Sequence, residues 1–404
     1  MSKLLQIALG VFTSIGGFLE VGAIATTAQA GAAFGFQLIW AVLLGTICVT
    51  FLVEMSGRLA AVSRHTIKDA LRERFGPRIY VAILVSDLLI NLMVLAAEIG
   101  GMSLALQLVT GISFRWWAIP VGVLTWVLLW KGSFALIENG VSLLGMVALV
   151  FVVAAYKLHP PMSQVVGGFI PTLPTERPYH YWFTAVSILG ASISPYLFYF
   201  YSSGAIEDEW DEGHVGVNRA VAAVGMGFGG VLAIAVLVVA AMVLHPAGIE
   251  PERFEQAALL LSEPLGRWGF YLFAATLFIS CLGAAFELAL ATSYSFAQGF
   301  GWNWGESVRP RDASRFTLIY TAMIAVVSLL MTSGIDPLRI TLFSMALTSL
   351  TLPLVTFPFL ILMNDGDYVG EYGNGWISNA AVVVISLLAS LLALVAIPLQ
   401  LLGG

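Results

Sequence analysis

Charge is what this chain has least of. Only 10% of its 404 residues are Asp, Glu, Lys or Arg, against roughly 25% in ordinary soluble domains. No basic run is long enough to track a nucleic-acid backbone, so that class of partner is excluded. Cysteine is scarce too: Cys48 and Cys281 both lie in apolar segments with no CxxC-type neighbour, which argues against a disulfide framework or a zinc site and for buried thiols. The five histidines, His65, His159, His180, His214 and His245, all fall in loops or at helix ends. A proton relay inside the membrane would therefore use carboxylates or tyrosines. Neither a nucleophile paired with a base nor a phosphate loop is visible, so the chain reads as no enzyme, and no cofactor is implied.

What is abundant is apolar sequence, 59% of the chain, with a mean hydropathy of +0.91. A span needs about 20 apolar residues, and on that ruler the chain divides into segments near 9–31, 36–60, 79–109, 113–131, 134–157, 181–204, 219–245, 267–299, 314–333, 337–362 and 376–401. The opening MSKLLQIALGVF lacks a clear cleavage site and runs into the first span, so it reads as retained. The expected fold is an all-α membrane protein of about eleven transmembrane helices in one transporter domain, with the bilayer and a small transported solute as partners and a monomer as the working unit.

Lys and Arg fix the expected orientation. Arg58, Arg64, Lys68, Arg72, Arg74 and Arg78 lie between the second and third segments, and Arg309, Arg311 and Arg315 between the eighth and ninth. Both loops share a side with Lys3, which the positive-inside rule makes cytoplasmic. An odd number of spans then puts the C-terminus outside, in a cytoplasmic membrane of bacterial type.

Two segments are interrupted where a membrane helix should run on. The first reads IGGFLEVGAIATTAQAGAAFG, with Glu20 among glycines; the second reads SILGASISPYLFYFYSSGA, with Pro195 at its centre. An unpartnered backbone group in lipid costs several kcal/mol, so broken helices persist only where they line a protein cavity. Five spans on each side of residues 158–180 make the broken ones first and sixth. The halves 1–157 and 181–362 then enter the membrane in opposite senses as an inverted repeat, with 376–401 as an added helix and substrate at the midplane.

Acidic residues inside spans usually face a cavity or a partner. Glu54, four residues before Arg58, together with Asp87 and Glu138, suits an interfacial or ion-paired place; Asp87 and Glu98 are also candidates for an ion path. Glu20 is placed to hold a cation or a proton beside freed carbonyls. Glu287 would add charge if it approaches Glu20. Ser194, Pro195 and Tyr196 contribute oxygens at the second break, and the aromatic run through Tyr199 suggests a cation-π cage for an organic cation.

These same stretches resemble the NRAMP family of proton-coupled divalent metal transporters, whose fold is of the LeuT type. FLEVGAIATTAQAGAAFG is similar to the family's first-span signature, in which Asp-Pro-Gly-Asn precedes an Ala-Thr-Asp-x-Gln-Ala-Gly-Ala run. GASISPYLFYFYSS resembles the sixth-span signature around Met-Pro-His, and ITLFSMALTSLTLPLVTFPFLILMNDGDYVGEY the tenth span and its loop.

The departures fall on the functional positions. Glu20, Val21, Gly22 and Ala23 stand at Asp-Pro-Gly-Asn, and Ser194, Pro195 and Tyr196 at Met-Pro-His. The resemblance places Met345 near the tenth-span Gln, Glu287 at a usual Gln, and the third-span proton-route acids near Val94 and Ala97, one residue from Glu98. It implies a substrate site of Glu20, Gly22, Ala23, Ser194, Tyr196, Tyr199, Glu287 and Met345, with Glu20, Ser194 and Glu287 as metal ligands. Oxygen ligands poor in sulfur would suit Mg²⁺ or Mn²⁺ over softer metals. The alternative is a transporter of the same fold carrying a small organic cation, amine or amino acid, with Glu20 or Glu287 pairing the ammonium under Tyr196 or Tyr199. A partner-sensing scaffold has only the acidic stretch AIEDEWDEGH behind it.

Overall fold

The computed structural model describes residues 20–131, 146–172, 177–251, 254–305 and 308–401. Glu138 and the start of the first apolar segment lie outside the described residues. The longer helices are α1 (Val21–Phe34), α2 (Ile39–Ser63), α3 (Ile67–Thr110), α4 (Phe114–Lys131), α5 (Leu149–Lys157), α6 (Pro178–Ser192), α7 (Pro195–Glu207), α8 (Val215–Val243), α9 (Arg267–Phe300), α10 (Ser314–Thr332), α11 (Pro337–Leu362) and α12 (Trp376–Leu401). Eight candidate spans among the described residues are long and apolar enough to cross a bilayer, with α6 and α7 forming one of them.

Helices are the only open-chain solution here, because lipid supplies no hydrogen bonds to the backbone. Where each helix sits follows from which faces are apolar. Leu318, Val326 and Leu329 on α10, and Val384, Leu391, Leu394 and Val395 on α12, form exposed apolar faces that suit lipid. By contrast α1, α6 and α7 are buried along almost their whole length. A helix apolar all round belongs inside a bundle. The interrupted segments are thus central, with α3 packed along α9 and α11, and α8 along α1 and α2.

The second break falls where the sequence places it, and α1 starts where the first is expected, what precedes Glu20 lying outside the described residues. Glu20 is the extended residue (φ −85°, ψ 175°) that precedes α1. In the second segment α6 ends at Ser192, Ile193 and Ser194 leave the helical region, and Pro195 opens α7. Proline suits that first helical position because its missing N–H has no intrahelical partner there.

One element differs from the sequence reading. Residues 67–75, counted as a charged loop, are helical and continue into the third span across a kink at Gly76 (φ 76°, ψ 172°). Lys68, counted among the loop cations, is buried at 1% exposure.

Candidate substrate site at the helix breaks

The Glu20 carboxylate makes no capping bond to its own helix. It points instead across to the start of α7, where the Tyr196 hydroxyl donates to Oε2. Ser194 Oγ lies 3.2 Å from Glu20 Oε1 and 3.3 Å from the Ala191 carbonyl, with one proton to give to either. Glu20 is completely buried, and Ser194 and Tyr196 nearly so. A carboxylate between two helix N-termini is favoured by their positive dipole ends, and the last carbonyls of α6 face the same break.

Met345 of α11 closes this cluster. A Cβ on Gly22 would lie 2.5 Å from Met345 Cε, 2.8 Å from its Sδ and 3.2 Å from Glu20 Oε1. Glycine is therefore what lets the thioether lie against α1 beside the carboxylate. Ala23 is buried in the same turn and offers no side-chain ligand. Met345, which the resemblance places at the site, thus sets one thioether beside the oxygens.

Glu98 and Glu287 lie near enough to the Glu20–Tyr196 pair to act on it by charge. Glu20, Glu287 and Glu98 all act electrostatically on the Tyr196 phenol. Glu98 is fully buried on α3, with both oxygens lacking a hydrogen-bond partner among the described residues. The Cys281 thiol and Val21 N–H face it outside hydrogen-bonding geometry, with Glu20 its strongest charged neighbour. Gly101 brings these groups together, since a Cβ there would sit 2.6 Å from Cys281 Sγ. Among the described residues no group of three or more His, Cys, Asp or Glu side chains is placed to hold a metal ion. A bound cation would take Glu20, the Ser194 and Tyr196 oxygens, carbonyls at the end of α6, the Met345 sulfur, and water.

Tyr199 and Asp87 belong to a second cluster. Lys68 Nζ lies over the Tyr199 ring, 3.6 Å from its centroid, and pairs with Asp87. The cation-π cage anticipated for an organic substrate thus holds the chain's own ammonium. Glu54 is ion-paired as its spacing from Arg58 suggests, at 2.9 Å. Lys68 and Cys281 went unremarked in the sequence as site neighbours. For Lys68 no local signal exists, because its partner is 19 positions away across the kink.

A helix broken between α6 and α7 at the centre of the bundle, facing the start of α1 with an uncapped carboxylate between them, is the arrangement of a secondary membrane transporter rather than an enzyme. The family is shown by comparison of the whole chain. Residues 10–398 match the family model for natural resistance-associated macrophage protein-like (Nramp) proteins, and the chain belongs to that family. It is 26% identical to the divalent metal cation transporter MntH of Deinococcus radiodurans, over 96% of this chain and 88% of that one. With the MntH of Vibrio campbellii the identity is 27%, over 96% and 91%. In structure it resembles a manganese transporter of Eremococcus coleocola, with a TM-score of 0.80 at 19% identity over 98% of this chain and 87% of that one. The nucleobase-cation-symport-1 family transporter MHP1 shares the fold at a TM-score of 0.65 and 16% identity, over 96% and 91%. The LeuT-type architecture expected from the sequence is thereby established.

Proposed function

We propose that the chain carries a divalent metal cation through the membrane by alternating access, with Glu20 as the anchoring ligand and Ser194, Tyr196, carbonyls of α6 and Met345 around it. The observation that carries this reading is the Glu20 carboxylate at the break, buried and turned across to Ser194 and Tyr196 instead of capping α1. Family membership and relatives named as divalent metal cation transporters support it. Three kinds of oxygen beside one thioether suit Mn²⁺: hard oxygens alone would suit Mg²⁺ equally, while sulfur favours a softer ion. Glu98, buried beside the site without a hydrogen-bond partner among the described residues, is the group we assign to a coupled proton. The Lys/Arg-rich side faces the cytoplasm in this reading, and the two halves act as inverted repeats of one domain.

The organic-cation reading loses its main support, because the Tyr199 ring is already covered by Lys68. Calorimetry on the purified protein tests the metal reading. Mn²⁺ binds wild type, and Glu20→Gln weakens it by about tenfold or more, equivalent to ~1.4 kcal/mol. Equal affinity in the two proteins overturns the assignment of Glu20.

A further inference from the structure

Polar side chains descend one face of α7 from Glu20 towards the Lys/Arg-rich side. Tyr196 comes first, then Tyr199, then Ser202 and Ser203. At 1.5 Å per residue the first of these steps is about 4.5 Å along the helix. Only Tyr196 serves the Glu20 site. The lower two levels are filled by the start of α3: Lys68 lies over the Tyr199 ring, and Ile67 N donates to Ser202 Oγ at 3.0 Å. Gln298 bridges the same level, donating to Ser203 Oγ at 2.9 Å while its Oε1 accepts from Thr66 Oγ1 at 3.0 Å.

The niche at the middle level has the makings of a cation site. It holds a carboxylate, Asp87, that is 5% exposed, and an aromatic face, Tyr199, at 3%. It also holds a polar atom with nothing to do in this state, since the buried Tyr199 hydroxyl has no hydrogen-bond partner among the described residues. Leaving such a group unsatisfied costs about 1–3 kcal/mol. The ammonium in the niche is tethered to a segment, Ile67–Phe75, set off from the rest of α3 by the kink at Gly76. A segment hinged there can withdraw as a unit.

We infer that the Tyr199–Asp87 niche is a second binding site for the transported cation, one helical turn beyond Glu20 on the release route, which Lys68 occupies as a tethered substitute cation while that route is closed. This rests on the divalent-cation reading above. When residues 66–68 withdraw, Asp87 and the Tyr199 hydroxyl become oxygen ligands for the departing ion, with Ser203 at the next level. When they return, Lys68 restores charge balance at Asp87 and expels the ion. Asp87 is never left buried beside an empty niche, an arrangement that is strongly destabilising for a carboxylate that has lost its partner.

Two variants of the full-length protein in detergent and in proteoliposomes test this. Lys68→Gln vacates the niche, so Mn²⁺ binding rises from one equivalent in wild type to two, and the added equivalent disappears in Lys68→Gln/Asp87→Asn. Tyr199→Phe removes a hydroxyl without a partner among the described residues, so thermal stability holds or rises, while Mn²⁺ uptake slows by about fivefold or more at unchanged affinity for the Glu20 site. A folded Lys68→Gln protein that binds a single equivalent overturns the proposal, and so does wild-type uptake by Tyr199→Phe, which decides the matter if Lys68→Gln does not fold. Wild type that binds no Mn²⁺ contradicts instead the divalent-cation reading beneath it, a result distinct from one equivalent on both proteins.

Discussion

Replacing Tyr196 with Phe deletes one of the two hydroxyls on the Glu20 carboxylate and leaves the ring packing in place. Tyr196 is 2% exposed and Glu20 is fully buried, so water does not replace the lost donor. A hydrogen bond to a charged group contributes about 1.5–3 kcal/mol, and Ser194, at 3.2 Å and shared with a carbonyl, takes over little of it. In a Glu20→Gln background the same deletion removes a bond between neutral groups, worth about 0.5–1.5 kcal/mol. The double-mutant cycle should therefore show a coupling of about 1–2 kcal/mol in unfolding free energy. The assay is reversible unfolding of the four proteins in one detergent at one pH. Coupling below about 0.3 kcal/mol, the scatter expected of independent sites, would refute the claim that α1 and α7 are joined through this carboxylate.

Further outcomes follow from the same geometry. Gly22→Ala drives a methyl against Met345 and towards Glu20 Oε1; Mn²⁺ affinity falls about tenfold, and calorimetry on Gly22→Ala/Met345→Ala should show the packing relieved while the sulfur contribution stays lost. Arg58→Ala breaks a bidentate pair with Glu54 and the bond to Asn374 Oδ1; Glu54 keeps only the longer contact to Arg219 at 3.5 Å, so the cost is about 2 kcal/mol, below the ~3 kcal/mol of a buried charge with no partner. Thermal unfolding measures that cost, and faster proteolysis of the 363–375 loop reports its release. At Asp365 a backbone N–H from Asp367 and the Arg74 guanidinium hold the carboxyl below its ordinary value. Its contribution to stability is present above the unfolded value near 3.8 and is lost as pH falls through the lower folded value. Asp365→Asn should flatten the stability–pH curve only in that acid window, as read from unfolding midpoints.

Much of the architecture was legible because lipid makes the code coarse. Apolar length places the eight spans found among the described residues, the proline at 195 marks the break between α6 and α7, and the glycines about Glu20 mark the start of α1. The residues at the breaks, Glu20, Ser194 and Tyr196, were legible for the same reason. What sequence could not supply depends on rotation and on distant partners. Glu98 and Gly101 share a face of α3 that meets Val21 and Cys281, but only packing reveals which face that is. Met345 was placed at the site by the family resemblance alone, since its contact with Gly22 spans more than 300 positions of chain. Lys68 was miscounted because a basic residue near a span end is ordinarily solvated; the helical kink at Gly76 turns it inward to Asp87 and Tyr199. The aromatic run then proved to be a cage already filled from within.

The most direct test of the central claim is Mn²⁺ uptake into proteoliposomes by wild type and Glu20→Gln at matched protein content. The account predicts saturable uptake by wild type, reduced by about tenfold or more in the variant. Equal uptake by the two proteins would contradict it.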